Sequence, residues 1–257
     1  MNQHHNTQKQ TSGFTLIELM LSMTFVAVLL IAIAMTVIQI ATIYNRGMTL
    51  KEVNQSARDI SDDMRRTVAN TEAFVVNVNG TDSADSFDIP AASGPSGALA
   101  GGRLCTGSYT YIWNIAAAVE RNDANLTKKL SSGGTPGEAI RFIKVPDTGK
   151  KYCQKTSGAV VNRHIASTDA PLITELLTAG DHKLGMQRFT ISTTNSAYDV
   201  ATEQRIYSVN YVIGTGDTSA MNSTQTACLP PGTANSNITY CNVQSFSIVL
   251  RAGNAGN

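Results

Sequence analysis

The chain has 257 residues, a net charge of +1, 15% charged side chains and 42% hydrophobic ones. A balance so near neutral provides no long-range field toward nucleic acid or acidic lipid, and it argues against a nucleic-acid partner. The length accommodates one large or two small domains, and no simple internal repeat is visible.

The leader, Met1 to Gly13, is short and polar. Its adjacent His4 and His5 suggest a metal tract, but two histidines alone are a poor ligand set. From Phe14 to Tyr44 the sequence contains no Lys, Arg, Pro, Asp or Gly, and Glu18 is its one charged residue. About 20 apolar residues in a helix span a bilayer core, so this run belongs in lipid or somewhere equally dry. A secretory signal would have an apolar region of roughly 7–15 residues followed by a small-residue cleavage site. This run is longer, and no such site follows it. A carboxylate inside a membrane is costly and marks a functional position by default. The simpler alternative is that Glu18, near the helix start, reaches the headgroups and gains from the helix dipole. Lys9 on one side and Arg46 and Lys51 on the other leave orientation undecided by positive charge.

The stretch Ser12-Gly13-Phe14-Thr15-Leu16-Ile17-Glu18-Leu19-Met20 resembles the class III signal of type IV pilins and type II secretion pseudopilins. The resemblance implies that a membrane-embedded prepilin peptidase cuts between Gly13 and Phe14 and that Phe14 becomes the N-methylated first residue. It implies that Glu18 is the signature glutamate and that the apolar run stays in the mature protein as anchor and assembly helix. The new ammonium at Phe14 is a charge in a dry place, and Glu18 of a neighbouring subunit would neutralise it. The implied partners are other pilin subunits, the peptidase, the inner-membrane assembly machinery and, before assembly, the bilayer. The implied location is a single-pass inner membrane with the N-terminus inside, then an extracellular or periplasmic filament. Major pilins often carry a Pro in the membrane half; here there is none, and Gly47 is the one evident weak spot.

Past the membrane run, Leu50, Val53, Ala57, Ile60, Met64 and Thr67 form an apolar stripe at helical spacing. A coiled-coil partner is one reading; packing on the chain's own sheet is the simpler one. The expected division is a removed leader 1–13, a helix 14–72 with its transmembrane part at about 16–44, and a β-rich extracytoplasmic head 73–257. Phe74–Val78 reads as a short β run, and 79–102, rich in Gly, Ser, Asp, Pro and Ala, as loop. Asp82, Asp85 and Asp88 in that loop could hold calcium, although solvated acids are the commoner case. Strands are expected at Ser108–Trp113, Ala139–Val145, Lys151–Cys153, Gln187–Thr193, Gln204–Ile213 and Val243–Arg251. A short helix is expected at Pro171–Thr178, with Gly180 beyond its end. An antiparallel sheet packed on one long helix, an α+β architecture, is the simplest assembly of these pieces, and the resemblance implies a pilin-like version of it.

Cys105, Cys153, Cys228 and Cys241 all follow the membrane run, where an oxidising compartment favours disulfides. Four cysteines allow three pairings; Cys228–Cys241 is favoured because it closes a short loop holding Pro230, Pro231 and Gly232, which leaves Cys105–Cys153. A zinc site competes weakly, without a C-x-x-C or a nearby His pair. No cofactor or metal motif and no catalytic arrangement stands out. Gly94-Pro95-Ser96-Gly97 falls short of a nucleophile elbow, Gly149-Lys150 lacks the earlier P-loop glycine, and the head holds only His164 and His182. Lys128-Lys129 and Lys150-Lys151 are basic doublets of the head, read as solvated. The expected function is a structural, minor subunit of a type IV pilus or related filament. The alternatives are a pseudopilin of a type II secretion system and a membrane-anchored enzyme or binding domain.

Overall fold

The computed structural model of the chain describes residues 13–76, 85–177, 183–193, 198–199 and 204–253. The leader before Gly13, Asp82, Gly180 and His182 lie outside the described residues. The chain divides into two units, Met1–Tyr44 and Asn45–Asn257. One helix, α1 (Leu16–Ala69), contributes to both.

In the second unit α1 turns a stripe inward. Val53, Ala57, Ile60, Met64 and Val68 are each no more than 1% exposed. Leu50, expected on this stripe, is exposed; Thr49, a full turn back from Val53, takes the buried place and donates its hydroxyl to the Asn45 carbonyl at 3.1 Å. The stripe joins one continuous core with two antiparallel sheets. The first sheet has the order β1 (Ser86–Pro90), β2 (Leu99–Cys105), β3 (Tyr109–Asn114), β6 (Phe142–Pro146), β9 (Thr174–Leu177). Between β3 and β6 the chain inserts a short helix, α2 (Ala116–Glu120), and a hairpin of β4 (Lys128–Leu130) with β5 (Pro136–Ala139). A second hairpin, β7 (Lys155–Thr156) with β8 (Ala159–Val160), precedes β9. The second sheet places β12 (Gln204–Thr215) between β10 (Leu184–Ser192) and β13 (Val243–Ala252), with the short β11 (Tyr198–Asp199) also on β12. Helix and antiparallel sheets together make an α+β fold.

Polar groups flank the apolar seam and fix the position of α1 along the sheets. The Tyr211 hydroxyl donates to the Ala57 carbonyl at 2.8 Å and lies 2.7 Å from Ser61 Oγ. On the other side Lys144 Nζ meets Asp63 Oδ1 at 2.9 Å and Thr67 Oγ1 at 2.6 Å, while the Tyr111 hydroxyl donates to Asp63 Oδ2 at 2.8 Å. Burial pushes the Tyr111 phenol far above its usual range, so it stays a donor at any ordinary pH.

Several expected elements differ. Pro171–Leu177 is not α-helical: a 3-10 turn at Ala170–Leu172 leads into β9, and Thr178 lies outside the described residues. β9 covers the free edge of β6, pairing Phe142 with Leu177 and Lys144 with Thr174, and those ladder bonds outweigh a local preference. Lys151–Cys153 is a 3-10 turn rather than a strand, because Asp147 accepts from the backbone N–H of both Lys151 and Tyr152 and curls the chain. The stretch read as loop at 79–102 contains β1 and the start of β2. The glycines there are structural: a Cβ on Gly102 would sit 2.3 Å from the Trp113 ring, and one on Gly101 2.1 Å from the Trp113 carbonyl. Phe74–Val76 forms no ladder; Phe74 stacks on Tyr207 and exchanges two hydrogen bonds with its hydroxyl, and Asn77 and Val78 lie outside the described residues.

The structure joins Cys105 to Cys153 and Cys228 to Cys241. The first bond ties β2 to the segment after β6, and the fully buried Arg103 secures the same segment. Its guanidinium donates to the carbonyls of Tyr152, Asn162 and Arg163 at 2.5 to 2.6 Å, and burial pulls its pKa down to about 10. His164 Nδ1 beside it accepts from the Lys128 N–H at 3.2 Å.

Ile60→Ala or Met64→Ala should cost about 2–5 kcal/mol in chemical denaturation of the detergent-solubilised chain, against well under about 1 for Leu50→Ala. Burial, with Arg163, Arg103 and Lys128 nearby, holds His164 below its ordinary 6.5, so the folded chain refuses a proton that the unfolded chain accepts. That contribution to stability is complete above pH 6.5 and declines as pH falls below it. The melting temperature should therefore drop between pH 7 and 5, by less in His164→Gln.

Candidate functional site: the start of the N-terminal helix

Gly13, Phe14 and Thr15 precede α1 and are not helical. Phe14 is 83% exposed, and no described residue lies within 4 Å of where a Gly13 side chain would be. Thr15 caps the helix. Its hydroxyl accepts from the Glu18 N–H at 3.3 Å, while Glu18 Oε2 accepts from the Thr15 N–H at 3.0 Å and from the Thr15 hydroxyl at 2.8 Å. This is a reciprocal capping box, satisfying donors that a helix start otherwise leaves open. Both bonds from Thr15 end on Oε2, so Oε1 remains able to accept a further donor. The Thr-x-x-Glu spacing was legible in the sequence, yet Glu18 was read there only as a charge. The cap gives it a second task, holding the first turn together.

From 16 to 44 nearly every side chain of α1 is exposed, including Leu16, Ile17, Phe25, Ile31, Ile38 and Ile43. Among the described residues it is the one helix long and apolar enough to cross a membrane. Its hydroxyls make no demand on their surroundings. Ser22, Thr24, Thr36 and Thr42 donate back to the carbonyls of Leu19, Leu21, Ile33 and Ile38 at 2.7 to 3.0 Å. In a medium without water such internal bonds remove the cost of exposing a polar group.

The remaining residues singled out in the sequence do not converge. Asp85 is held by Lys150 Nζ at 2.6 Å and by the Val75 N–H at 2.8 Å. Among the described residues no three His, Cys, Asp or Glu side chains gather as metal ligands. The basic doublets are internally engaged rather than a free patch. Lys128 donates to Asn122 Oδ1 at 2.8 Å, Lys129 pairs with Glu175, Lys150 with Asp85, and Lys151 with Asp169 at 2.5 Å. The segment between β12 and β13 is stitched by Cys228–Cys241 and by Asn222, whose side chain accepts from the Thr226 N–H at 2.9 Å. No protein-family model, curated protein or solved structure matches this chain.

Thr15→Val should remove the cap at a cost of about 1 kcal/mol and speed amide exchange in the first turn of α1, with exchange near Ile60 unchanged.

Proposed function

We propose that this chain is a structural, minor subunit of a type IV pilus or related filament, processed at the Gly13–Phe14 bond and assembled through α1. The observation that carries the reading is the arrangement at the helix start. The Gly13–Phe14 bond is exposed and outside the helix, where a peptidase can draw it out in extended form, and an unbroken apolar helix follows at once. Cleavage there leaves the apolar segment on the mature chain and creates an ammonium at Phe14. Glu18 Oε1 has capacity for such a donor while Oε2 serves the cap. An ammonium and a carboxylate brought together in a dry filament core cost far less than either alone.

Assembly then needs no chemistry beyond that cleavage and the methylation of Phe14. Apolar helix surface exchanges lipid for the helices of neighbouring subunits, and the head stays outside the cytoplasm, where its two disulfides persist.

Gly13→Val should block processing, leaving the unprocessed mass on intact-protein mass spectrometry. Glu18→Ala should be cleaved as the native chain is, yet enter sheared filaments at a small fraction of the native level. Native incorporation of Glu18→Ala would refute the charge-pairing step.

A further inference from the structure

A cleft of about 650 Å³ in the head lies between β1 and the β7–β8 hairpin, far in sequence from the helix start. Its volume falls in the range of about 300–1,000 Å³ typical of small-molecule sites. Phe87, Ile89 and Val160 give it an apolar lining. The hairpin wall turns through Ser157 and Gly158, both at positive φ (51° and 80°), a tight two-residue turn that leaves Ala159 exposed at the rim.

Arg163 carries the inference. It lines the cleft, and its Nε and Nη2 have no acceptor among the described residues although both are cut off from solvent. A donor in that condition costs about 1–3 kcal/mol, more when charged. Nε and Nη2 are also the two donors along one side of the guanidinium fork, which match the two oxygens of a carboxylate. The backbone carbonyl of Arg163 is fixed by Arg103 at 2.6 Å, which holds the residue at the wall of the cleft.

The other polar groups narrow the ligand. The amide nitrogen of Asn125 is tied to the Pro90 carbonyl at 2.9 Å, which leaves its Oδ1 to accept from a hydroxyl. Asp88 on the same wall repels a second acid and accepts from hydroxyls. Lys155 places its ammonium 3.8 Å over the Phe87 ring and adds positive charge at the mouth. We propose that this cleft binds a small carboxylate bearing several hydroxyls, of the sugar-acid class, with its carboxylate on the Nε–Nη2 side of Arg163. The site is independent of how the chain is anchored or assembled.

The test is calorimetric or saturation-transfer titration of the full chain in detergent micelles with D-glucuronate, D-glucose and acetate. Glucuronate should bind at least about tenfold more tightly than either of the others, because only it offers both the carboxylate and the hydroxyls. Arg163→Gln should reduce its binding to the glucose level, and Arg163→Lys should not restore it. Ala159→Trp, which fills the cleft from its exposed rim, should abolish binding with the melting temperature unchanged. Glucuronate binding no tighter than glucose or acetate, or unchanged in Arg163→Gln, would overturn the proposal; so would acetate binding alone, which marks an unselective anion contact.

Discussion

The fit of one helical stripe against two sheets is the constraint on which the head depends. Val53, Ala57, Ile60, Met64 and Val68 have no alternative burial, and the aromatic rings of Tyr207, Tyr211, Phe142 and Phe189 are spaced to receive them. Apolar packing of this kind is strong but indifferent to small slides along the helix. The polar contacts remove that indifference. Tyr211 grips the Ala57 carbonyl on one side, and Lys144 and Tyr111 grip Asp63 on the other. Moving α1 by one turn would strand Asp63 and Lys144 in a half-buried setting, where an unpaired charge is expensive. The apolar groups provide most of the stability and the polar ones the register.

The long connections are held by a different device. The segment from Lys151 to Arg163 contains only a 3-10 turn and one short hairpin, so the carbonyls of Tyr152, Asn162 and Arg163 need partners from elsewhere. Arg103 supplies three from a single buried side chain, and Cys153 adds a covalent tether to the same strand. A buried charge held by neutral carbonyls rather than by an acid is unusual, and among the described residues its Nε has no acceptor. It works because three strong acceptors converge on one fork, and the lowered pKa of about 10 still leaves it protonated at neutral pH. The same arrangement fixes the backbone of Arg163 at the wall of the cleft.

What could be read in the sequence follows the range of the forces involved. The long apolar helix, the buried stripe and the strands β10, β12 and β13 carry their own periodicity, and so does the capping box of Thr15 and Glu18. β2 was hidden because Gly101 and Gly102 read as loop, and only the close approach of the Trp113 carbonyl to the first and of its ring to the second explains them. β9 was hidden because Leu176-Leu177 after Pro171 reads as a helix until the open edge of β6 is known. Arg103 looks like any surface arginine until the carbonyls of residues 152, 162 and 163 arrive from distant parts of the chain. Asp85, which reads as a loop acid, instead accepts from the Val75 N–H and pairs with Lys150, and Asp147 accepts from the backbone N–H groups of Lys151 and Tyr152.

The back-bonded hydroxyls of α1 have a kinetic meaning. When Ser22, Thr24, Thr36 and Thr42 spend their protons on carbonyls of their own helix, those four side chains offer their surroundings no free donor. Under the filament reading, passage from one greasy environment to another would break no bond made by these four hydroxyls, and the directed contacts left to resist it would be those of Glu18 and Gln39.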